Sequence, residues 1–281
     1  MGIRYHSIER MALEDDPFSS ARTFVRGLDD FAIYPNPKSC QRKKVTIQLA
    51  IHDKSSDVIV VSMPGYSNEL DGKRNRQLNL GNFIHEHIGA VVRCDNFPVN
   101  NTRYELLLLD NIREVIKYAL DNAEEICGKQ NPDIYLRGHS AGGSAAAGIA
   151  YEFPQIKKVL LISPGGDIGS EAIRKNLSEY QNELYVTGPI YDRYIGQNSA
   201  RFFYNVAMRA KRREIHLLED ADHCFTGPLL SKVFSKAILW AFADDKTYPN
   251  PSGGIELDDI ENLDIILKDS KKRKRWYLFW K

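Results

Sequence analysis

The hexapeptide Gly138-His139-Ser140-Ala141-Gly142-Gly143 decides the reading of this chain. It follows Asp133-Ile134-Tyr135-Leu136-Arg137, an apolar run of strand length. It precedes Ser144 to Ala150, a stretch of small residues that suits the start of a helix packed close to a sheet. The order strand, G-x-S-x-G, helix puts Ser140 on a very sharp turn. A side chain at either flanking glycine would collide with the neighbouring strand or helix, so only glycine fits there. The first turn of the helix also aims its unpaired N–H groups and its dipole at the serine hydroxyl.

Outward from this turn, short and nearly continuous apolar runs recur. They are Val58–Val61, Ala90–Val92, Ile134–Leu136, Val159–Ile162, Leu184–Val186 and Ile215–Leu218. Strands buried on both faces look like this, because neither face alternates with polar residues. Helical patterns lie between them, from Arg103 to about Ala123, from Ser170 to Tyr180 and from Leu229 to Phe242. Asn100, Asn101 and Thr102 offer caps for the first of these. Alternating strands and helices imply six parallel strands joined by crossover helices. Ahead of them Val45, Ile47, Leu49 and Ile51 alternate with polar residues, which predicts one or two antiparallel strands at the start. Ser19-Ser20 is read as the cap of a short helix through Val25.

A serine hydroxyl attacks a carbonyl only with a base in hydrogen-bond reach, and the base needs an orienting group. Of the histidines, only His216 and His223 follow Ser140. His216 sits inside an apolar run and is expected to pack. His223 lies in Asp220-Ala221-Asp222-His223-Cys224-Phe225, just past that run, where loops at the carboxyl ends of parallel strands gather. Asp192 is the first candidate for the orienting acid, after the run Glu183–Thr187 and a Gly188-Pro189 turn. Asp167, in Ser163-Pro164-Gly165-Gly166-Asp167, is the alternative acid. An anionic intermediate also needs two N–H donors. Ala141 supplies one, and Tyr66 in Ser62-Met63-Pro64-Gly65-Tyr66-Ser67-Asn68 is the candidate for the other.

Taken together these residues resemble the α/β-hydrolase superfamily over roughly residues 45–242. The resemblance rests on the turn around Ser140, the Pro64-Gly65-Tyr66 loop, the Gly188 to Asp192 segment and Asp222-His223. It implies an α/β fold, a mostly parallel central sheet with helices on both faces. It assigns nucleophile, acid and base to Ser140, Asp192 and His223, and the oxyanion hole to Tyr66 and Ala141. Many members have His-Gly where this chain has Pro64-Gly65, which bears on the register of the second donor. The span between Ile162 and Glu183 holds one helix and no large lid. The implied activity is hydrolysis of a carboxylic ester or thioester, small or carrier-bound, through an acyl-enzyme, without cofactor or metal. An acyltransferase, such as a polysaccharide O-acetyltransferase, would use the same residues, and a non-catalytic binding protein could use the same fold.

The bulk composition agrees with one α/β domain. Of 281 residues 43% are hydrophobic, and 38 basic against 37 acidic residues leave a net charge of +1. That balance gives no electrostatic reason to expect nucleic acid. Cys40, Cys94, Cys127 and Cys224 show no metal-ligand spacing and read as free thiols of a reducing, cytoplasmic compartment. The start, Met1-Gly2-Ile3-Arg4, carries charge early and has no apolar signal core. Residues 1–40 are read as an N-terminal extension, 41–247 as the catalytic domain and 248–281 as a C-terminal extension that begins at the breaker Tyr248 to Gly254. Its end, Lys271-Lys272-Arg273-Lys274-Arg275 followed by Trp276-Tyr277-Leu278-Phe279-Trp280-Lys281, suits peripheral contact with an anionic membrane face.

Overall fold

The computed structural model describes residues 2–13, 42–66, 68–96 and 104–257. The expected Ser19–Val25 helix, Cys40, the caps at 100–102 and the basic-aromatic tail lie outside the described residues. All six apolar runs are strands. The sheet comprises β1 (Arg4–Leu13), β2 (Arg42–His52), β3 (Val58–Met63), β4 (Ala90–Cys94), β5 (Asp133–His139), β6 (Ile156–Ile162), β7 (Glu183–Pro189) and β8 (Arg212–Leu218). The spatial order is β1-β2-β4-β3-β5-β6-β7-β8. Pairing is antiparallel for β1 with β2 and β2 with β4, and parallel everywhere else. Ile59, Val61, Leu136, Val159 and Val186 are fully buried, each worth about 1.5–3 kcal/mol.

Helices cover both faces. α1 (Arg76–His87) and α7 (Pro228–Ala243) pack on one side, where Leu80, Phe83, Phe234, Ile238 and Trp240 meet Val60, Leu160 and Tyr185. α2 (Tyr104–Asp121), α3 (Ala123–Cys127), α4 (Ala141–Ile149), α5 (Ser170–Leu177) and α6 (Ser199–Val206) pack on the other. The α4 face is small because it lies close to the sheet: all nine of its residues are buried. Between β6 and β7 stands only the eight-residue α5, so no large lid is inserted there. Among the described residues no helix is long and apolar enough to cross a membrane.

Two boundaries differ from the sequence reading. Residues 4–13, expected in an N-terminal extension, are edge strand β1. Its inward positions hide the usual alternation, because polar groups stand where apolar ones are looked for. Arg4 pairs with Asp53 at 2.6 Å, His6 stacks on Tyr118 at 4.8 Å, and Arg10 holds Asn111 at 2.7 Å. Among its described side chains, Ile8 and Ala12 add to the apolar interior. Residues 248–257, expected in the C-terminal extension, close the second core. Tyr248 stacks on Trp240 at 4.8 Å and shares a 2.7 Å hydrogen bond with the Thr187 hydroxyl, and Leu257 is fully buried. His216 packs against Trp240 and Tyr248 as expected. Cys94 and Cys127 are buried free thiols, and Cys224 is exposed.

Candidate active site

Parallel strands run in one direction, so the loops after β3, β5, β6, β7 and β8 emerge at one edge of the sheet. That edge gathers Tyr66, Ser140, Asp167, Asp192 and His223. Ser140 caps α4 with φ 53° and ψ −121°, a conformation that L residues rarely adopt. The turn is pinned on both sides. Its N–H donates to the Ile162 carbonyl at 2.9 Å, and its carbonyl accepts from the N–H groups of Gly143, Ser144 and Gly165. A Cβ on Gly138 would overlap the Gly142 carbonyl, and one on Gly142 would lie 2.6 Å from the Met63 carbonyl oxygen. Both glycines are therefore required by backbone contact.

His223 Nε2 lies 2.9 Å from the Ser140 hydroxyl, and His223 Nδ1 lies 2.7 Å from Asp192 Oδ2. The side chains of Asp192 and His223 are buried. The second Asp192 oxygen, Oδ1, accepts the N–H groups of Tyr194 at 2.8 Å and Ile195 at 3.2 Å. Burial by itself would raise this carboxyl. The hydrogen bond from His223, its charge and the two backbone donors outweigh burial and hold it below the usual range. Asp192 is thus the carboxylate bonded to His223. Asp167 is not bonded to it, although it lies close enough to feel its charge. The Asp167 side chain reaches solvent while protein crowds it on the remaining sides, and that crowding raises its carboxyl.

The loop after β3 approaches the serine closely. A Cβ on Gly65 would sit 3.2 Å from Ser140 Cβ and 3.3 Å from His139 Nδ1. Two asparagines hold this loop. Buried Asn96 donates to the carbonyls of Pro64 and Gly65, both at 3.2 Å, and Asn68 donates to the Gly65 carbonyl at 3.1 Å. Since a trans peptide points its N–H opposite to its carbonyl, these bonds set the direction of the Tyr66 N–H. Ala141 opens α4, where backbone N–H groups have no acceptor within the helix.

Three residues of this site escaped the sequence reading. Asn68 and Asn96 join through a two-residue bridge that only the tertiary structure creates. His139 is buried, with Nε2 3.0 Å from the His223 carbonyl and its ring 5.5 Å from Phe234. Burial, with the charges of Arg137 and His223, drives its pKa far down, so it is neutral and donates Nε2–H to that carbonyl. It ties the His223 loop to the residue beside Ser140, a link foreshadowed only by its place inside the motif. Asp222 shapes the same loop by accepting the N–H groups of Cys224 and Thr226.

The same fold occurs in known structures. Est1E from Butyrivibrio proteoclasticus superposes with a TM-score of 0.54 at 16% identity, over 69% of this chain and 92% of that one. The monoacylglycerol lipase of Paleococcus ferrophilus gives 0.57 at 14%, over 71% and 99%. A cold-adapted esterase from an Arctic intertidal metagenomic library gives 0.53 at 13%, over 65% and 82%. The chain has the α/β-hydrolase fold. No family model and no curated protein matches its sequence. Within this fold the sharp turn is β5–Ser140–α4, and the loops that carry Asp192 and His223 follow β7 and β8. Among the described residues no cluster of His, Cys, Asp or Glu has the geometry to hold a metal ion.

Proposed function

We propose that this protein is a serine esterase that hydrolyses a carboxylic ester or thioester through an acyl-enzyme on Ser140. The observation that carries this reading is the continuous hydrogen-bond chain from the Ser140 hydroxyl through His223 to Asp192, at 2.9 Å and 2.7 Å. In the first step the Ser140 oxygen bonds to the acyl carbon while its proton passes to His223 Nε2. Asp192 holds the ring with Nδ1–H toward itself and stabilises the imidazolium. The N–H groups of Ala141 and Tyr66 receive the developing oxyanion. His223 then gives its proton to the leaving oxygen or sulfur, the acyl–leaving-group bond breaks, and water releases the acid by the same route. The esterase and lipase names among the structural neighbours agree with this chemistry.

Labelling with a fluorophosphonate probe tests the reading. The wild type is expected to label, and Ser140→Ala and His223→Ala are expected not to. A folded wild type that stays unlabelled would remove the activated serine and favour a binding protein on this fold.

A further inference from the structure

Three exposed tyrosines belong to the loops at the edge of the sheet that holds Ser140. Tyr66 adjoins Gly65, which touches Ser140, and Tyr191 and Tyr194 flank Asp192. Their exposures are 54%, 70% and 74%. Tyr194 is fixed rather than loose: its N–H bonds Asp192 Oδ1 at 2.8 Å, and its ring centroid lies 5.2 Å from that of His223. Asp167 lies on the loop after the neighbouring strand β6. The Asp167 Oδ2 lies over Gly165, and Ile195, the residue after Tyr194, packs near the same glycine. The rest of this rim has Glu219, Asp220 and Asp222 exposed on the loop that carries His223, against two cations, exposed Arg193 and Arg76, which donates to the Cys224 carbonyl at 2.7 Å.

The chemistry of the step orients these groups. His223 Nε2 delivers the proton to the leaving oxygen, so the alcohol half of an ester departs beside the His223 ring; of the two rings against it, His139 at 5.4 Å is buried and Tyr194 at 5.2 Å is exposed to a ligand. An exposed ring accepts apolar C–H faces on its negative surface. A carboxylate offers only acceptors and so selects hydroxyl donors. Acidic neighbours repel an anionic leaving group. A ring face combined with a hydroxyl-accepting carboxylate and an anion-repelling rim matches an uncharged sugar, whose ring has one C–H face and hydroxyls at its edge. We infer that Tyr194, together with Asp167, forms a subsite for the alcohol half of the ester, and that this alcohol is an uncharged carbohydrate. The inference rests on the esterase reading and names its substrate class. In the step, the acyl carbon bonds to Ser140, the bond from acyl carbon to sugar oxygen breaks, and that oxygen takes its proton from His223.

The test compares two acetates with the same acyl group, the 6-O-acetyl ester of methyl β-glucopyranoside and ethyl acetate, on the full chain. The expected wild-type kcat/KM is at least about tenfold higher for the sugar ester, a factor of the size that one aromatic contact supplies. Tyr194→Ala is expected to cut that ratio about tenfold, mostly through KM, with Tyr194→Phe retaining it, and Asp167→Asn to lower it severalfold. A wild-type ratio near one overturns the inference. So does a Tyr194→Ala that lowers both esters equally, since the ring would then only support His223. Fluorophosphonate labelling separates the two levels. A labelled enzyme without the sugar preference, or one that cleaves neither acetate, sinks the carbohydrate subsite and leaves the activated serine. An unlabelled one sinks the esterase reading itself.

Discussion

Replacing Asp192 by asparagine tests how the acid acts, because the structure dictates which way the amide must turn. Oδ1 of Asp192 receives two backbone N–H groups, from Tyr194 and Ile195, and Oδ2 faces His223 Nδ1 at 2.7 Å. In Asp192→Asn the single amide oxygen has to face the two backbone donors, since an NH₂ there would leave both N–H groups unpaired at about 1–3 kcal/mol each. The NH₂ then points at Nδ1 and donates to it. His223 is forced to carry its proton on Nε2, where it can no longer take the one from Ser140. Amide substitutions of this kind in serine triads lower kcat by about 10⁴, and the same loss, about 5.5 kcal/mol of transition-state stabilisation, is expected here. The assay is turnover of an acetate ester together with the rate of fluorophosphonate labelling, with thermal denaturation as the control for folding. The same variant alters stability in acid. Because the folded Asp192 carboxyl is held below its unfolded value, it contributes stability above the usual carboxylate range. That contribution is lost as pH falls through the folded value. Asp192→Asn is expected to lack this loss. Activity within tenfold of wild type would refute the argument and turn attention to Asp167.

Two further outcomes follow from packing and burial. Gly138→Ala should unfold the elbow, since its Cβ would meet backbone, including Gly143 Cα at 2.7 Å; Gly148→Ala meets only the ends of the Ile168 and Leu109 side chains and should cost about 1–3 kcal/mol. Comparing the two melting temperatures checks this, and equal losses would contradict it. Buried His52 accepts a hydrogen bond from Arg93 Nε at 2.9 Å, and burial with the charges of Arg93 and His85, opposed by Asp71 and Asp53, lowers its pKa to about 4. Unfolded, it would bind its proton near 6.5, so stability should fall as pH drops from there toward 4. His52→Gln, which still offers Arg93 an acceptor, should flatten that part of the stability–pH curve, and an unchanged slope would refute the assignment.

Much of the architecture was legible because its signals are local. Parallel strands buried on both faces read as plain apolar runs, and all six appear in the sheet. The elbow is legible because backbone contacts on both sides of Ser140 leave room for glycine alone. His223 emerged by elimination, since His216 sits inside a strand. Strand β1 was hidden because Arg4, His6 and Arg10 satisfy its inward face with polar contacts, which no hydrophobic period reveals. Tyr248 and Leu257 follow a breaker, and nothing in their own neighbourhood tells that they seal the core over Trp240.

The sequence by itself therefore determined the strand–helix alternation, the serine on its turn and the histidine loop, all set by steric and solvation rules within a few residues. The tertiary structure decided which carboxylate reaches His223, because Asp167 and Asp192 follow neighbouring strands in the same way and differ only in where their loops bring the oxygen. It also decided the roles of Asn68 and Asn96 at the Gly65 loop, of His139 against the His223 carbonyl and of the ring of Tyr194 on His223. These are contacts between loops far apart in the chain, and they exist only once the parallel sheet has brought its carboxyl ends together.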